Sequence, residues 1–335
     1  MTEITSKLKT VSAIDTVMKN ARTVVMAVFN RFGDGVIGGV ICEEFAKKWS
    51  ASDCRCLIVT SPQLYPYLKA ICPSAEVIPL NRKNPMHWGR LFFKWLFQYR
   101  GFDVGLNPYS YGKESRRIAR MGRWCKIYQN PESALLVNYY DRVRRYLELP
   151  LCRDFVSASI LPENVVEILV CPESSEARRT LTVSQFQSIV GQLRAKWPEA
   201  VITVANSHKF KGQYVDPSIK SFTLDKSEAS SLRFLDTIRK TDLVVSVDSG
   251  PLHIACAFGT PVVALFSSAH PSTVINSGVV AYPLRAEALS ALYCEVLDCK
   301  VPVCMNSLTL EKPWVHDKSA EQRSIARERC PLNAE

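Results

Sequence analysis

The residues best suited to chemistry stand where an apolar run stops. Leu243 to Val247 leads directly into Asp248-Ser249-Gly250-Pro251-Leu252-His253, and a helix of small residues follows with Ala255, Cys256 and Ala257. Ser249 and Gly250 allow a close backbone approach and Pro251 suits the first helical turn. The N–H groups of the helix start then point beyond the strand end, where a diphosphate would be held. Asp248 can orient those amides or sugar hydroxyls, or it can cap the helix. His253, one turn further, reads either as a phosphate contact or as a packed histidine bonded to a nearby carbonyl. Gly259 marks the helix end before Pro261 and a second apolar run to Phe266. A second cluster, Arg31-Phe32-Gly33-Asp34-Gly35, follows the early apolar run Thr23 to Asn30. Taken alone, its aspartate is a helix cap and its glycines a close crossing.

Three further groups carry charge. After Cys171 comes Pro172-Glu173-Ser174-Ser175-Glu176-Ala177-Arg178-Arg179. Its serines offer hydroxyls to phosphate oxygens and its arginines a planar cationic fork, although a solvated basic turn is an equal reading. Lys113, Arg116, Arg117, Arg120 and Arg123 recur at helical spacing after the loop Asn107 to Gly112. His87 to Arg100 mixes aromatics with cations, and its aromatics are expected to pack as core rather than to face a lipid surface.

Positioning these groups needs strands and helices in alternation. Strands are expected at Thr23 to Asn30, Cys56 to Thr60, Glu76 to Leu80 and Phe102 to Leu106. The rhythm then repeats at Val166 to Cys171, Ala200 to Ala205, Leu243 to Val247 and Pro261 to Phe266, with an amphipathic stretch over Val183 to Lys196. The fold class this implies is α/β, with two doubly wound, Rossmann-like domains facing across a cleft. The expected halves are residues 1–155 and 156–335, joined near Pro150 to Pro162, with ligands at the carboxyl ends of both sheets.

Composition narrows the classes. No apolar run nears the roughly 18 to 20 residues of a bilayer span, and the first twenty residues lack the apolar core of an export signal. Twelve cysteines in such a chain read as reduced thiols and point to the cytoplasm. Cys294, Cys299, Cys304 and Cys330 form a loose cluster without a Cys-x-x-Cys pair, so no metal is expected there, and no cofactor elsewhere. The formal charge of +10 favours anionic partners. Nucleic acid is set aside because zinc-finger spacing, an RRM-like aromatic motif and a basic tail are all missing. An oxidoreductase using a dinucleotide is disfavoured because no G-x-G-x-x-G follows an early strand.

The segment Asp248 to Phe266 resembles the D-[TS]-G-x-x-H signature of the bacterial heptosyltransferases, glycosyltransferase family 9. The resemblance implies a GT-B fold and an inverting transfer of heptose from ADP-heptose to the lipopolysaccharide core. It implies donor contacts from Asp248, Ser249, Gly250, Pro251 and His253, joined by Ser174, Ser175, Arg178 and Arg179 on the basic turn. Asp34 matches the Gly-Asp of the first loop and becomes the general base. Asn107, Tyr109, Arg116, Arg117 and Arg120 are assigned to a phosphorylated acceptor at the cleft rim. The partners implied are the nucleotide-sugar, the phosphorylated core acceptor and peripheral contact with the cytoplasmic face of the inner membrane. The sequence departs from the family at three places. Arg179, Leu181 and Thr182 stand for Lys, Trp and Pro. Asn206-Ser207-His208-Lys209 lacks an acidic residue, and Ser267-Ser268-Ala269-His270-Pro271 replaces Gly-Pro-Thr-Asp-Pro. These departures put donor identity in question, and leave a non-catalytic nucleotide- or anion-binding module, or a different nucleotide-sugar donor, as the alternatives.

Overall fold

The computed structural model describes residues 14–108, 112–127, 138–151, 160–207, 218–225, 227–276, 279–286, 292–294, 303–311 and 324–326. The first half runs α1 (Ile14–Met18), β1 (Thr23–Val28), α2 (Phe32–Ser50), β2 (Arg55–Thr60), α3 (Tyr65–Ile71), β3 (Glu76–Pro79) and α4 (Pro85–Phe93). A π turn, Lys94–Gln98, extends α4, and β4 (Phe102–Asn107), α5 (Lys113–Ala119), β5 (Gly122–Ile127) and α6 (Tyr139–Leu147) follow. The second half runs β6 (Glu167–Cys171), α7 (Val183–Lys196), β7 (Val201–Ser207), β8 (Lys220–Leu224), α8 (Glu228–Lys240) and β9 (Leu243–Val247). It continues with α9 (Gly250–Phe258), β10 (Val262–Phe266), α10 (Pro271–Val274) and β11 (Ala281–Arg285), and β12 (Leu292–Cys294) pairs with β13 (Ser324–Ala326).

Both main sheets are parallel, in the orders β3-β2-β1-β4-β5 and β11-β10-β9-β6-β7-β8. Each sheet reverses its winding beside its first strand, between β1 and β4 and between β6 and β9. In open parallel sheets that reversal opens a crevice at the carboxyl strand ends. The central strands are apolar on both faces because helices cover both. In β1, Val24, Met26 and Val28 face one layer, and Val25 and Ala27 the other. The two halves also share a core. Val36, Ile37, Ile41 and Phe45 of α2 belong to one buried cluster with Leu252, Ile254 and Ala255 of α9 and Phe234 and Leu235 of α8. Burial of each such side chain stabilises the fold by about 1.5–3 kcal/mol, so the halves are held together mainly by apolar contact.

Local signals place the helix ends. Thr182 and Gln185 form a reciprocal capping box at the start of α7. Gly259, with φ of 74°, ends α9 in the left-handed conformation expected from its place before Pro261. The eight expected strands all occur, to within a residue or two of the expected bounds. β5, β8, β11, β12 and β13 were not anticipated. β5, β8 and β11 lie at sheet edges, and the first two, Gly122-Arg-Trp-Cys-Lys-Ile127 and Lys220-Ser-Phe-Thr-Leu224, lack a continuous apolar run. The expected linker lies partly outside the described residues.

Two local expectations change. α2 begins at Phe32, so Gly33 and Asp34 sit in its first turn rather than in a loop, and Arg31 holds the cap position without a side-chain bond. The aromatics of 87–100 divide. Leu91 and Tyr99 are buried and Trp88 and Trp95 partly so, against the sheet face formed by Val25, Ala27, Leu57 and Val59. Phe92, Phe93 and Phe97 are exposed. One short helix has a single stripe facing the sheet, and six aromatics between residues 88 and 99 exceed what that stripe can cover.

Candidate functional site

The starts of α2 and α9 meet where the two sheets present their carboxyl ends. A Cβ built on Gly33 would lie 3.5 Å from Cδ2 of His253 and 3.8 Å from the amide nitrogen of Gly250. A Cβ on Gly250 would fall 1.9 Å from Cδ1 of Phe32. Gly250 is therefore required by the ring of Phe32 from the opposite half, a packing reason that the turn sequence did not display. Ser249 occupies the cap position of α9, but its hydroxyl turns back to the Val247 carbonyl at 3.2 Å and does not cap the helix. The helix entrance keeps its amide face and the positive end of its dipole toward the space above β9.

Asp248, at the end of β9, is buried and pairs with Arg179 across the β6–β9 reversal, Nη1 to Oδ2 at 3.0 Å. Arg179 also reaches Glu176 at 3.2 Å, and Glu176 accepts from Nε of Arg178 at 2.8 Å. Arg31, from the opposite half, stands 3.5 Å from the same Glu176 carboxylate. The basic turn is thus a charged network that crosses between the halves. Glu176 at its centre was not among the expected site residues, because its contact with Arg31 joins segments distant in sequence. These contacts hold the Glu176 carboxyl below its usual range against the opposing effect of its burial, with Arg179 the strongest of the charges. Ser174 is tied into the turn through Thr180, at 3.0 Å from its backbone N–H, and Ser175 is exposed.

Asp34 lies half-buried beside this network. Its carboxyl is raised above the usual carboxylate range, first by burial. Arg179 opposes that, Asp248 adds to it, and Arg31 and Arg142 oppose it. A carboxylate with raised basicity can accept a proton from a hydroxyl. His253 is fully enclosed, and burial pushes its pKa down to about 4, with Asp248 acting to raise it and Arg179 to lower it further. Its ring is neutral near pH 7. Nδ1 lies 3.1 Å from the hydroxyl of Tyr140, on α6. With that phenol donating, the ring proton rests on Nε2. His253 therefore has the packed setting foreseen for it, with a phenol rather than a carbonyl as its partner.

α6 supplies residues that no short motif signals. Tyr140 touches His253. Arg142 is buried over the ring of Tyr139 at 4.3 Å and lies within electrostatic reach of Asp34. Arg144 pairs with Glu44 at 2.7 Å and with Asn276 at 2.9 Å, and Asn138 donates to the carbonyls of Ser272 and Ile275. The apolar-polar pattern of α6 shows a helix, but not that it contacts both halves.

The expected acceptor residues have differing settings. Asn107 is buried at the end of β4, its N–H donating to the hydroxyl of Tyr146 at 3.1 Å. Arg116 and Arg117 are exposed on α5 and Arg120 just after it, and Ile118 of that helix packs on the sheet face opposite α2. Arg123 lies on β5, not on the helix. Tyr109, Cys299 and Cys330 lie outside the described residues, Cys294 is described in backbone only, and Cys304 is buried. Among the described residues no group of three His, Cys, Asp or Glu side chains could hold a metal.

The family model for glycosyltransferase family 9 (heptosyltransferase) matches residues 230–297, which contain β9, α9, β10 and β11. No curated protein sequence matches the chain. Among solved structures, E. coli ADP-heptose lipopolysaccharide heptosyltransferase II superposes with a TM-score of 0.58 at 15% identity, over 86% of this chain and 95% of that one. A glycosyl transferase family 9 protein from Veillonella parvula gives 0.57 at 13% identity, over 78% and 86%. E. coli heptosyltransferase WaaC with ADP gives 0.55 at 11% identity, over 78% and 93%. Segment 230–297 thus matches the glycosyltransferase family 9 (heptosyltransferase) model, and the chain around it, with its two facing parallel sheets, has the GT-B fold seen in the heptosyltransferases.

Proposed function

We propose that the chain is an inverting glycosyltransferase that moves heptose from ADP-heptose to a phosphorylated lipopolysaccharide core acceptor, in peripheral contact with the cytoplasmic face of the inner membrane. The observation that carries this reading is the meeting of Asp34, a half-buried carboxyl of raised basicity, with the uncapped entrance of α9 and the Arg179–Asp248 pair. The donor diphosphate rests on the amides of Ser249 and Gly250 and on Pro251 at the start of α9, with Ser174, Ser175, Arg178 and Arg179 around it. His253 supports the helix start as a neutral ring. Asn107, Tyr109, Arg116, Arg117 and Arg120 guide the acceptor.

The acceptor hydroxyl oxygen attacks the anomeric carbon while the carbon–oxygen bond to the diphosphate breaks. Its proton passes to Asp34 and ADP leaves as an anion. The amides and arginines stabilise the charge that grows on the departing oxygen. A single displacement inverts the anomeric centre, so a β-linked donor gives an α-linked product.

A second reading draws on the Arg179 contacts. That guanidinium is already engaged by Asp248 and Glu176, as in a protein that binds a nucleotide or anion without turnover. Release of ADP from ADP-heptose, measured with a truncated core acceptor, separates the two. Acceptor-dependent release that is lost in Asp34→Asn, with ADP still bound, supports transfer. Binding of ADP without release in the wild type supports the binding module.

A further inference from the structure

We propose that α4, its π turn and the neighbouring α5–β5 surface form a docking face for an anionic lipid bilayer. The inference names the surface behind the peripheral contact proposed above and shares Arg116, Arg117 and Arg120 with the acceptor assignment, but its aromatic evidence is separate from Asp34 and the α9 entrance. Met86, Phe92, Phe93, Leu96 and Phe97 are 80, 54, 61, 45 and 62% exposed, the densest run of exposed large apolar side chains among the described residues. They form paired rings rather than scattered ones. Phe93 and Phe97 have centroids 4.7 Å apart, and Phe92 lies 5.2 Å from Trp95. The π turn carries an extra residue per turn at this point and so widens the aromatic face. Contiguous apolar surface of this kind on a folded chain marks an interaction site.

Charge identifies the partner. From Asn81 to Ile127 the sequence has eleven Lys and Arg but only Asp103 and Glu114 as acids, so this stretch carries nearly all of the chain's formal +10. Arg82, Lys83, Arg90, Arg100, Lys113, Arg116, Arg117, Arg120 and Arg123 are all exposed. Two contacts make the aromatic and cationic parts one surface. Nε1 of Trp95 donates to the Met121 carbonyl at 3.2 Å, and Arg82 lies 3.5 Å from Glu114. Aromatic side chains that enter the headgroup layer, ringed by arginine and lysine, fit a bilayer with negative surface potential. A second copy of this chain would bring the same positive charge against itself, and that charge disfavours self-association through this face.

The test is co-sedimentation of the full chain, without nucleotide, with vesicles of phosphatidylethanolamine and phosphatidylglycerol or of phosphatidylcholine alone. The wild type is expected to partition onto the anionic vesicles, less at high salt, and weakly onto phosphatidylcholine. Phe93→Ser with Phe97→Ser is expected to lower the partition coefficient about a hundredfold, about tenfold for each ring withdrawn from the interface. Arg90→Glu with Arg123→Glu should lower it further on anionic vesicles only. The unfolding temperature of the phenylalanine variant, measured in parallel, should match the wild type because both rings are exposed. Wild type that stays in the supernatant overturns the proposal, as does a phenylalanine variant that binds as well as the wild type. A wild-type dimer that the phenylalanine substitutions dissociate, without vesicle binding, also overturns it and makes the face a self-association surface. None of these outcomes depends on sugar transfer, so a failure here leaves the reaction standing.

Discussion

Gly250→Ala separates two reasons for the glycine at the start of α9. The added Cβ would sit 1.9 Å from Cδ1 and 2.1 Å from Cε1 of Phe32, where ordinary contact begins at 3.4 Å. Relief needs a shift of about 1.5 Å, either of the ring or of the α2 start against α9. Phe32 is not free to swing, since its ring meets Tyr67 edge-on at 4.6 Å. Overpacking of this kind costs about 1–3 kcal/mol, and moving Asp34 by about 1 Å from the donor lowers turnover about a hundredfold. Phe32→Ala removes the obstacle for about 2 kcal/mol of lost packing, since the ring is only half-buried. The double variant should recover most of the turnover lost in Gly250→Ala, with a non-additive unfolding free energy. The assay is steady-state ADP release beside thermal unfolding for the wild type, both single variants and the double. If the double variant is no better than Gly250→Ala, the glycine serves a ligand that approaches the backbone and not Phe32, and the packing argument fails.

Three other outcomes follow from the site's charges. Asp34→Asn should abolish turnover and yet raise the unfolding temperature at neutral pH. The folded carboxyl binds its proton more tightly than the unfolded one, so stability falls as pH rises from 3.8 through the raised folded value, and Asn removes that loss. An unchanged or lower unfolding temperature would contradict the burial described for Asp34. For His253 the sign is opposite. Between pH 6.5 and about 4 the unfolded ring takes up a proton and the folded ring does not, so stability declines with acidification by about 1.4 kcal/mol per pH unit. His253→Gln should flatten that slope in urea titrations across the window, whatever its effect at pH 7. Arg179→Ala leaves Asp248 buried without its partner and should cost about 3 kcal/mol of stability with weaker ADP binding by calorimetry. Asp248→Asn in that background should restore much of the stability.

The central strands were legible because burial on both faces writes itself as apolar runs, as in Thr23-Val-Val-Met-Ala-Val28 and Leu243-Val-Val-Ser-Val247. α7 matched its expected bounds because its periodicity ends in a capping box. The edge strands β5 and β8 were missed because an edge needs no such run. The Asp248 segment was legible as a strand, a turn and a helix start. Its partners were not, since Tyr140, Arg142 and Glu176 acquire meaning only when α6 and the basic turn are brought beside it. The aromatic stretch misled for a different reason. Phe92, Phe93 and Phe97 have the composition of core, and only the short length of the stripe facing the sheet excludes them from it.

α6 belongs by sequence to the first half, yet Asn138 and Tyr140 are fastened to α10 and α9. The two halves are consequently not interchangeable parts. A chimera that joins the first half of this chain to the second half of a relative would leave that phenol and that amide facing foreign neighbours, with the Arg144 anchor to Asn276 lost as well. Grafts that exchange α6 together with α9 and α10 keep the latch intact, and recombination points in engineered relatives should respect that unit rather than the midpoint of the chain.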